Sequence, residues 1–308
     1  MPFLWKELYG SVMAGDSAQI SFEADGTTYI RNFRPQERLI LLGGGHIAQP
    51  LCRYAADLDF SVTVVDDRPS FAHLGRFPEA GSVVCEAFQK AIRDLNIGAQ
   101  DYVAVITRGH MSDAVCLREI LPKPFPKYLG MIGSKRRVIS LLNMLEDEGF
   151  SRSDLDKIHA PIGVDINALT VKEIAISIIA ELIQCRRANI KRHTKETVLV
   201  SEDIDLPLLE FLACDGSPKA LLIVYETSGS TPVKSGAMMA VDKSFRAIGT
   251  IGGGCSENAV LRDAYHLIGT GEERCVTIDM SNDVAEDEGM VCGGKMKVLI
   301  KDVSRQQS

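Results

Sequence analysis

The chain has 308 residues, enough for two globular domains, and its 45% hydrophobic and 24% charged residues are an ordinary globular balance. A net charge of −7 counts against non-specific nucleic-acid binding, which needs an excess of Lys and Arg. No apolar run reaches the roughly 20 residues of a bilayer span, and the first residues lack the basic start and apolar core of a signal peptide, so a cytoplasmic protein without membrane association is expected.

Residues 1–37 read as a helix and hairpin segment. Ile20-Ser21-Phe22-Glu23 and Thr28-Tyr29-Ile30-Arg31 flank the turn Ala24-Asp25-Gly26. The hairpin is expected to brace the interface between the two larger parts of the chain.

Residues 38–190 alternate short apolar runs with helix-like stretches. Arg38–Leu42, Val62–Val65, Tyr102–Ile106 and Tyr128–Ile132 read as buried strands, and strands alternating with helices imply right-handed crossovers and a parallel sheet. The expected class is α/β, with a Rossmann-like parallel sheet domain followed by a smaller α/β domain. Thr170 to Gln184 is the clearest helix: its apolar residues fall on one face, and Thr170 with Glu173 forms a capping box.

The first strand runs into Gly43-Gly44-Gly45-His46-Ile47-Ala48, which fits G-x-G-x-x-A. Glycine there permits a tight turn and close backbone approach, and the helix start offers N–H groups to a phosphate. Asp66, about 20 residues on, stands where an acid can take ribose hydroxyls. Thr107-Arg108-Gly109-His110 and Gly133-Ser134-Lys135-Arg136-Arg137 follow two further strands, so Arg108, His110, Lys135, Arg136 and Arg137 make one sheet edge basic. Cations are disfavoured at helix starts, so the cluster points to an anionic ligand. Any single one of these residues, read alone, is a solvated surface cation, and His46 and His110 read alone are positioning residues.

Residues 191–308 form the second domain, after the basic run Arg186-Arg187 to His193. Ala220–Tyr225, Ala237–Val241, Ile248–Ile251, Cys275–Ile278 and Met296–Ile300 read as strands, and Asn258–Leu267 as a helix. Two glycine–cysteine loops stand out: Gly252-Gly253-Gly254-Cys255-Ser256-Glu257, and Gly289-Met290-Val291-Cys292-Gly293-Gly294. Of the eight cysteines, these two sit among glycines that would give a bulky ligand access to sulfur, and a helix start makes thiolate more available. The other six are expected to be free thiols serving as small buried residues. No C-x-x-C pair is present, which argues against a structural zinc site of the usual spacing.

Taken together, Gly43–His46, Val64–Pro69, Thr107–His110 and Pro161–Ile166 resemble the Rossmann half of the XdhC/CoxI family, the xanthine dehydrogenase accessory proteins. Gly229–Pro232, Gly236–Met239, Gly249–Glu257 and Gly289–Gly294 resemble its other half. In that family the glycine–cysteine half usually comes first, so the order here is reversed; the two halves of a permuted unit should share one cleft.

The resemblance implies an accessory factor that matures a xanthine dehydrogenase-type molybdenum hydroxylase. Such a factor binds the molybdenum cofactor (molybdopterin), protects it while a cysteine desulfurase supplies its terminal sulfur, and delivers it; homodimer formation is also implied. Cys255 and Cys292 are then the candidates for cofactor contact, sulfur handling and molybdenum contact. Gly43, Gly45, His46, Asp66, Arg108 and His110 in one half, and Gly252, Gly253, Gly254, Glu257 and Gly293 in the other, are the candidates for holding the cofactor or a nucleotide such as NAD(P). The competing readings are an NAD(P)-dependent oxidoreductase, for which His110 is the available proton donor, and a regulatory protein with Cys255 and Cys292 as a redox pair.

Overall fold

The computed structural model describes residues 2–188, 197–200, 205–214, 216–252, 254–280 and 294–304. In chain order the elements begin with helix α1 (Pro2–Met13) and the hairpin β1 (Ala18–Ala24) and β2 (Thr27–Phe33). Then follow β3 (Arg38–Leu42), α2 (Ala48–Ala56), β4 (Ser61–Asp66), β5 (Ser82–Cys85), α3 (Phe88–Asp94), β6 (Tyr102–Val105), α4 (His110–Ile120), β7 (Tyr128–Met131), α5 (Lys135–Asp147), α6 (Arg152–Leu155) and α7 (Val171–Arg187). The chain continues with β8 (Val198–Val200), α8 (Leu206–Ala213), β9 (Lys219–Ser228), β10 (Met238–Asp242), β11 (Ala247–Gly249), α9 (Gly254–Leu267), β12 (Glu273–Asp279) and β13 (Lys295–Asp302). Two compact units result: residues 37–191, and residues 1–36 together with 192–308.

Residues 37–191 build a five-stranded parallel sheet in the order β5-β4-β3-β6-β7. Strands β3, β4, β6 and β7 are buried on both faces, which is why they read as unbroken apolar runs. Leu39, Leu41, Val62, Val64, Tyr102 and Ala104 pack beneath α2 and α7. The alternate residues Ile40, Leu42, Val65, Val103 and Val105 pack beneath α3, α4 and α5. The strand order reverses direction between β3 and β6, and in such sheets ligands bind beyond the carboxyl ends of the strands at that switch.

Helix α7 starts as its sequence requires. The Thr170 hydroxyl accepts from Glu173 N, and the Glu173 carboxylate accepts from Thr170 N at 2.7 Å, a complete capping box. Thr170→Ala is expected to cost about 1 kcal/mol in urea unfolding, because it frees one N–H of the first turn.

The other unit is built on a five-stranded antiparallel sheet ordered β11-β10-β9-β13-β12. Leu221, Ile223 and Tyr225 of β9 face the hairpin, α1 and α8, while Ala220, Leu222 and Val224 face α9. This alternation with period two is what a strand buried on both faces by different layers requires. The hairpin β1–β2 pairs in register from Ala18↔Phe33 to Ala24↔Thr27, and β8 joins β2 in parallel. Among the described residues no helix is long and apolar enough to cross a membrane.

The six other cysteines are free thiols as expected, but the expectation that they are buried needs correction. Cys52 and Cys116 are buried, and burial pushes the Cys52 thiol up to about 12 and the Cys116 thiol up as well. Cys185 is half-buried, and Cys85, Cys214 and Cys275 are exposed. Cys85 and Cys275 lie on the edge strands β5 and β12, where one side of the sheet has no neighbouring strand to cover it.

Candidate functional site

At the switch point, Gly43 leaves β3 with φ +121° and donates its N–H to Val65 O at 2.8 Å. A Cβ there would lie 2.4 Å from Ile106 O, so the turn passes directly against the end of β6. A Cβ on Gly44 would lie 2.5 Å from Phe71 O. Gly45 differs: nothing lies within 4 Å of its missing Cβ, so its surface is open just before α2 begins. His46 is exposed beside it.

Asp66 is buried, and its carboxylate is fully engaged. Oδ2 accepts from Gly44 N at 2.8 Å and Arg68 Nη2 at 2.9 Å, while Oδ1 accepts from Arg68 N at 3.0 Å and Arg68 Nε at 2.8 Å. Burial alone would raise its pKa, but the Arg68 guanidinium and the two N–H groups outweigh that and hold it below the ordinary carboxylate value. Asp66 therefore clasps the glycine turn to the end of β4, and the exposed acid at this edge is the next residue, Asp67. Arg68 in turn stacks on Phe71, with Cζ 3.6 Å from the ring centroid.

The basic edge is more mixed in structure than in sequence. Arg108 is exposed and pairs with Asp67 at 3.6 Å. Arg137 pairs with the fully buried Asp113, which also accepts from Thr107 Oγ1 at 2.5 Å. That arrangement fixes the loop after β6 to α4 and α5. His110, the first residue of α4, and Lys135 and Arg136, the first residues of α5, are exposed. The sheet edge thus brings Gly43, Gly45, Asp66, Arg108 and His110 to one rim.

Beside the glycine turn lies a groove of about 470 Å³, lined by His46 just before α2, by Gln49 and Arg53 on α2, by Arg76 and Glu79, and by Lys172 in the first turn of α7. Of these, only His46 stands out in the sequence. Arg53, Arg76 and Lys172 are spread over some 120 positions, and no local pattern links them.

In the other unit three loops meet. Gly252, with φ +121°, packs on Pro232: a Cβ there would lie 2.5 Å from Pro232 Cγ. A Cβ on Gly294 would lie 2.4 Å from Ser230 O. The loops carrying Gly252 and Gly294 therefore flank the same turn, Gly229–Pro232. Glu257 closes the arrangement by accepting from Thr250 Oγ1 at 3.1 Å and Ile251 N at 3.2 Å, tying the first turn of α9 back to its own loop. Cys255 is the second residue of α9 and follows Gly254, which begins the helix. Gly253, Cys292 and Gly293 lie outside the described residues. Among the described residues no group of three or more His, Cys, Asp or Glu side chains is placed to hold a metal ion.

Fold and site together define a protein with one Rossmann-type unit and one antiparallel unit that gathers glycine loops at a helix start. Residues 39–182 match the family model described as the XdhC Rossmann domain, and residues 212–279 match the model of the XdhC and CoxI family. The chain belongs to the XdhC/CoxI family. It is 31% identical over 158 residues to an uncharacterized protein, YqeB, of Escherichia coli (strain K12), a match covering 51% of this chain and 28% of that protein. It is 29% identical over 166 residues to a protein of Bacillus subtilis (strain 168) described as a probable xanthine dehydrogenase subunit; that match covers 54% of this chain and 48% of the relative. A solved structure described as a xanthine dehydrogenase from Bacillus halodurans is 31% identical, with a TM-score of 0.49, covering 56% of this chain and 49% of that one. The matches thus span less than half the length of these curated relatives.

Proposed function

We propose that this protein is an accessory factor of a xanthine dehydrogenase-type molybdenum hydroxylase, one that binds the molybdenum cofactor and assists its sulfuration and insertion. The observation that carries the reading is the meeting of the Gly252 and Gly294 loops on the turn Gly229–Pro232, with Cys255 in the first turn of the adjoining helix. Family membership supports it, as does the name of the Bacillus subtilis relative.

The donor chemistry fits the cofactor. A thiolate suits a thiophilic metal, and the amides at the start of α9 suit an anionic group. Cys255 is the candidate metal contact, and Cys292, two residues before Gly294 in sequence, is the second. Gly252, Gly253, Gly254 and Gly293 would allow a bulky ligand to approach, with Glu257 holding the loop. The bound cofactor would supply the molybdenum centre itself. In the Rossmann unit, the open surface at Gly45 fits a phosphate, belonging either to the pterin or to a nucleotide such as NAD(P). A cysteine desulfurase, the client hydroxylase and a second copy of this chain are the partners this role calls for.

The NAD(P)-dependent oxidoreductase reading has less behind it, because Asp66 already spends its carboxylate on Gly44 and Arg68. The test is molybdenum cofactor retention by the purified protein, followed by ultrafiltration and metal analysis. Wild type is expected to bind stoichiometrically, and Cys255→Ala or Cys292→Ala to weaken binding by roughly tenfold or more, since even outer-sphere partners of a metal are worth that much. Absence of molybdenum retention by wild type, combined with tight NAD(P) binding, would replace this reading with the oxidoreductase.

A further inference from the structure

We infer that the groove between α2, the segment around Arg76 and the start of α7 is a binding site for a small phosphate ester, separate from the glycine–cysteine loops. The protein carries 34 Lys and Arg against 41 Asp and Glu, yet this groove gathers Arg53, Arg76 and Lys172 against the single carboxylate Glu79. Several other cations of the same unit are paired: Arg38 with Asp101, Arg68 with Asp66, Arg118 with Glu148, Arg186 with Glu37. Among the described residues none of the three groove cations has an ion-pair partner.

Two of the three, Lys172 and Arg76, are placed at a cost, while Arg53 sits in the last turn of α2, where a cation is favoured. Lys172 stands in the first turn of α7, where the helix dipole disfavours a cation. Arg76 is pinned: Nε donates to Gly44 O at 3.1 Å, and the guanidinium lies 5.0 Å from the Phe71 ring and 5.8 Å from the Phe77 ring. Its Nη2 is shut off from solvent with no acceptor among the described residues, and a buried donor left unsatisfied is a cost that folding normally avoids. Arg53 is held over the Tyr54 ring at 5.2 Å. It shares a face of α2 with Gln49, four residues earlier, and His46 lies just before the helix begins. A doubly charged phosphate between Arg53, Arg76 and Lys172 would give the three cations a shared counter-charge, with His46 and Gln49 offering further hydrogen bonds.

The volume, about 470 Å³, suits a ligand of nucleotide or pterin size. The site also resolves a conflict at the glycine turn. With Asp66 committed to Gly44 and Arg68, recognition on the β4 side of the turn is obstructed, whereas the Gly45–His46 side is open and leads into the groove. The phosphate site stands or falls independently of molybdenum binding, because none of its residues belongs to the glycine–cysteine unit.

The experiment titrates the intact chain with inorganic pyrophosphate by calorimetry at low salt. Wild type is expected to bind. The double variant Arg53→Gln/Lys172→Gln should bind at least tenfold more weakly, while Lys90→Gln, which removes an exposed cation on α3, should leave affinity unchanged. Glutamine keeps the helix propensity of both positions, and both side chains are exposed, so an unchanged melting temperature is the check on folding. Absence of pyrophosphate binding by wild type, or equal affinity in wild type and the double variant, would overturn the inference whatever the outcome for molybdenum.

Discussion

Arg31→Met is expected to destabilise the antiparallel unit by about 3–5 kcal/mol, the range for breaking one side of a buried ion pair. Arg31 lies on β2 and its side chain is fully buried. Nη2 donates to Asp205 Oδ2 at 2.7 Å, Nε donates to Gly236 O at 2.7 Å, and Nη1 donates to Asn32 O. Its guanidinium also lies 4.9 Å from the Phe33 ring. Methionine would fill much of the volume but take the guanidinium away from a nearly buried carboxylate and from two backbone carbonyls, Gly236 O and Asn32 O. Asp205 sits at the N-cap of α8 but makes no side-chain cap bond there. One arginine thus joins the hairpin, the start of α8 and the end of the loop that begins at Gly229. Denaturant unfolding followed by a probe in this unit measures the loss. The double variant Arg31→Met/Asp205→Leu should recover a large part of it, since no charge is then stranded. A loss below about 1 kcal/mol for Arg31→Met would mean that the pair is dispensable and that packing alone holds the hairpin.

No sequence pattern announces that pair, because its members stand 174 positions apart and each alone is an ordinary charged residue. What the sequence does reveal is whatever one element decides locally. The strands β3, β4, β6 and β7 are legible almost to the residue, since burial on both faces leaves unbroken apolar runs. The capping box of α7 and the Asp25-Gly26 turn are equally local. Strand β5, Ser82–Cys85, is not legible: it is an edge strand, partly exposed, and carries too little apolar signal. Helix α9 begins at Gly254, earlier than its periodicity suggests, because glycine is a poor helix former and hides the first turn.

The candidate site divides in the same way. The glycine turn and the glycine–cysteine loops are visible as motifs. Which of Asp66 and Asp67 faces outward is not, because that depends on Arg68 folding back onto the first. The groove cations are likewise invisible until α2 and α7 pack side by side under one sheet face.

Gly43→Ala should have the other large effect, a loss of roughly 2–6 kcal/mol in the Rossmann unit, and the contrast with Gly45→Ala isolates its cause. Gly43 has φ +121°, a conformation that L side chains rarely adopt, and strain of this kind costs about 1–3 kcal/mol. The new Cβ would also meet Ile106 O at 2.4 Å and Ile106 C at 2.7 Å. Those are backbone atoms at the end of β6, so no rotamer change relieves the clash, and overpacking of this kind adds about 1–3 kcal/mol. Either the turn or the end of β6 must move, taking with it the Gly43 N–H bond to Val65 O and the loop that positions Arg108 and His110. Gly45 has neither problem: its φ is not in the positive range and nothing lies within 4 Å of a Cβ. Gly45→Ala should therefore stay within about 0.5 kcal/mol of wild type in stability. If a ligand approaches the turn through that open surface, Gly45→Ala should weaken its binding without moving the unfolding transition, whereas Gly43→Ala should move both. Thermal and urea unfolding of the two single variants, read beside pyrophosphate titration, separates a glycine required by the fold from one required by the ligand. Equal stability for the two variants would refute the assignment of Gly43 as the position where the turn has no room for a side chain.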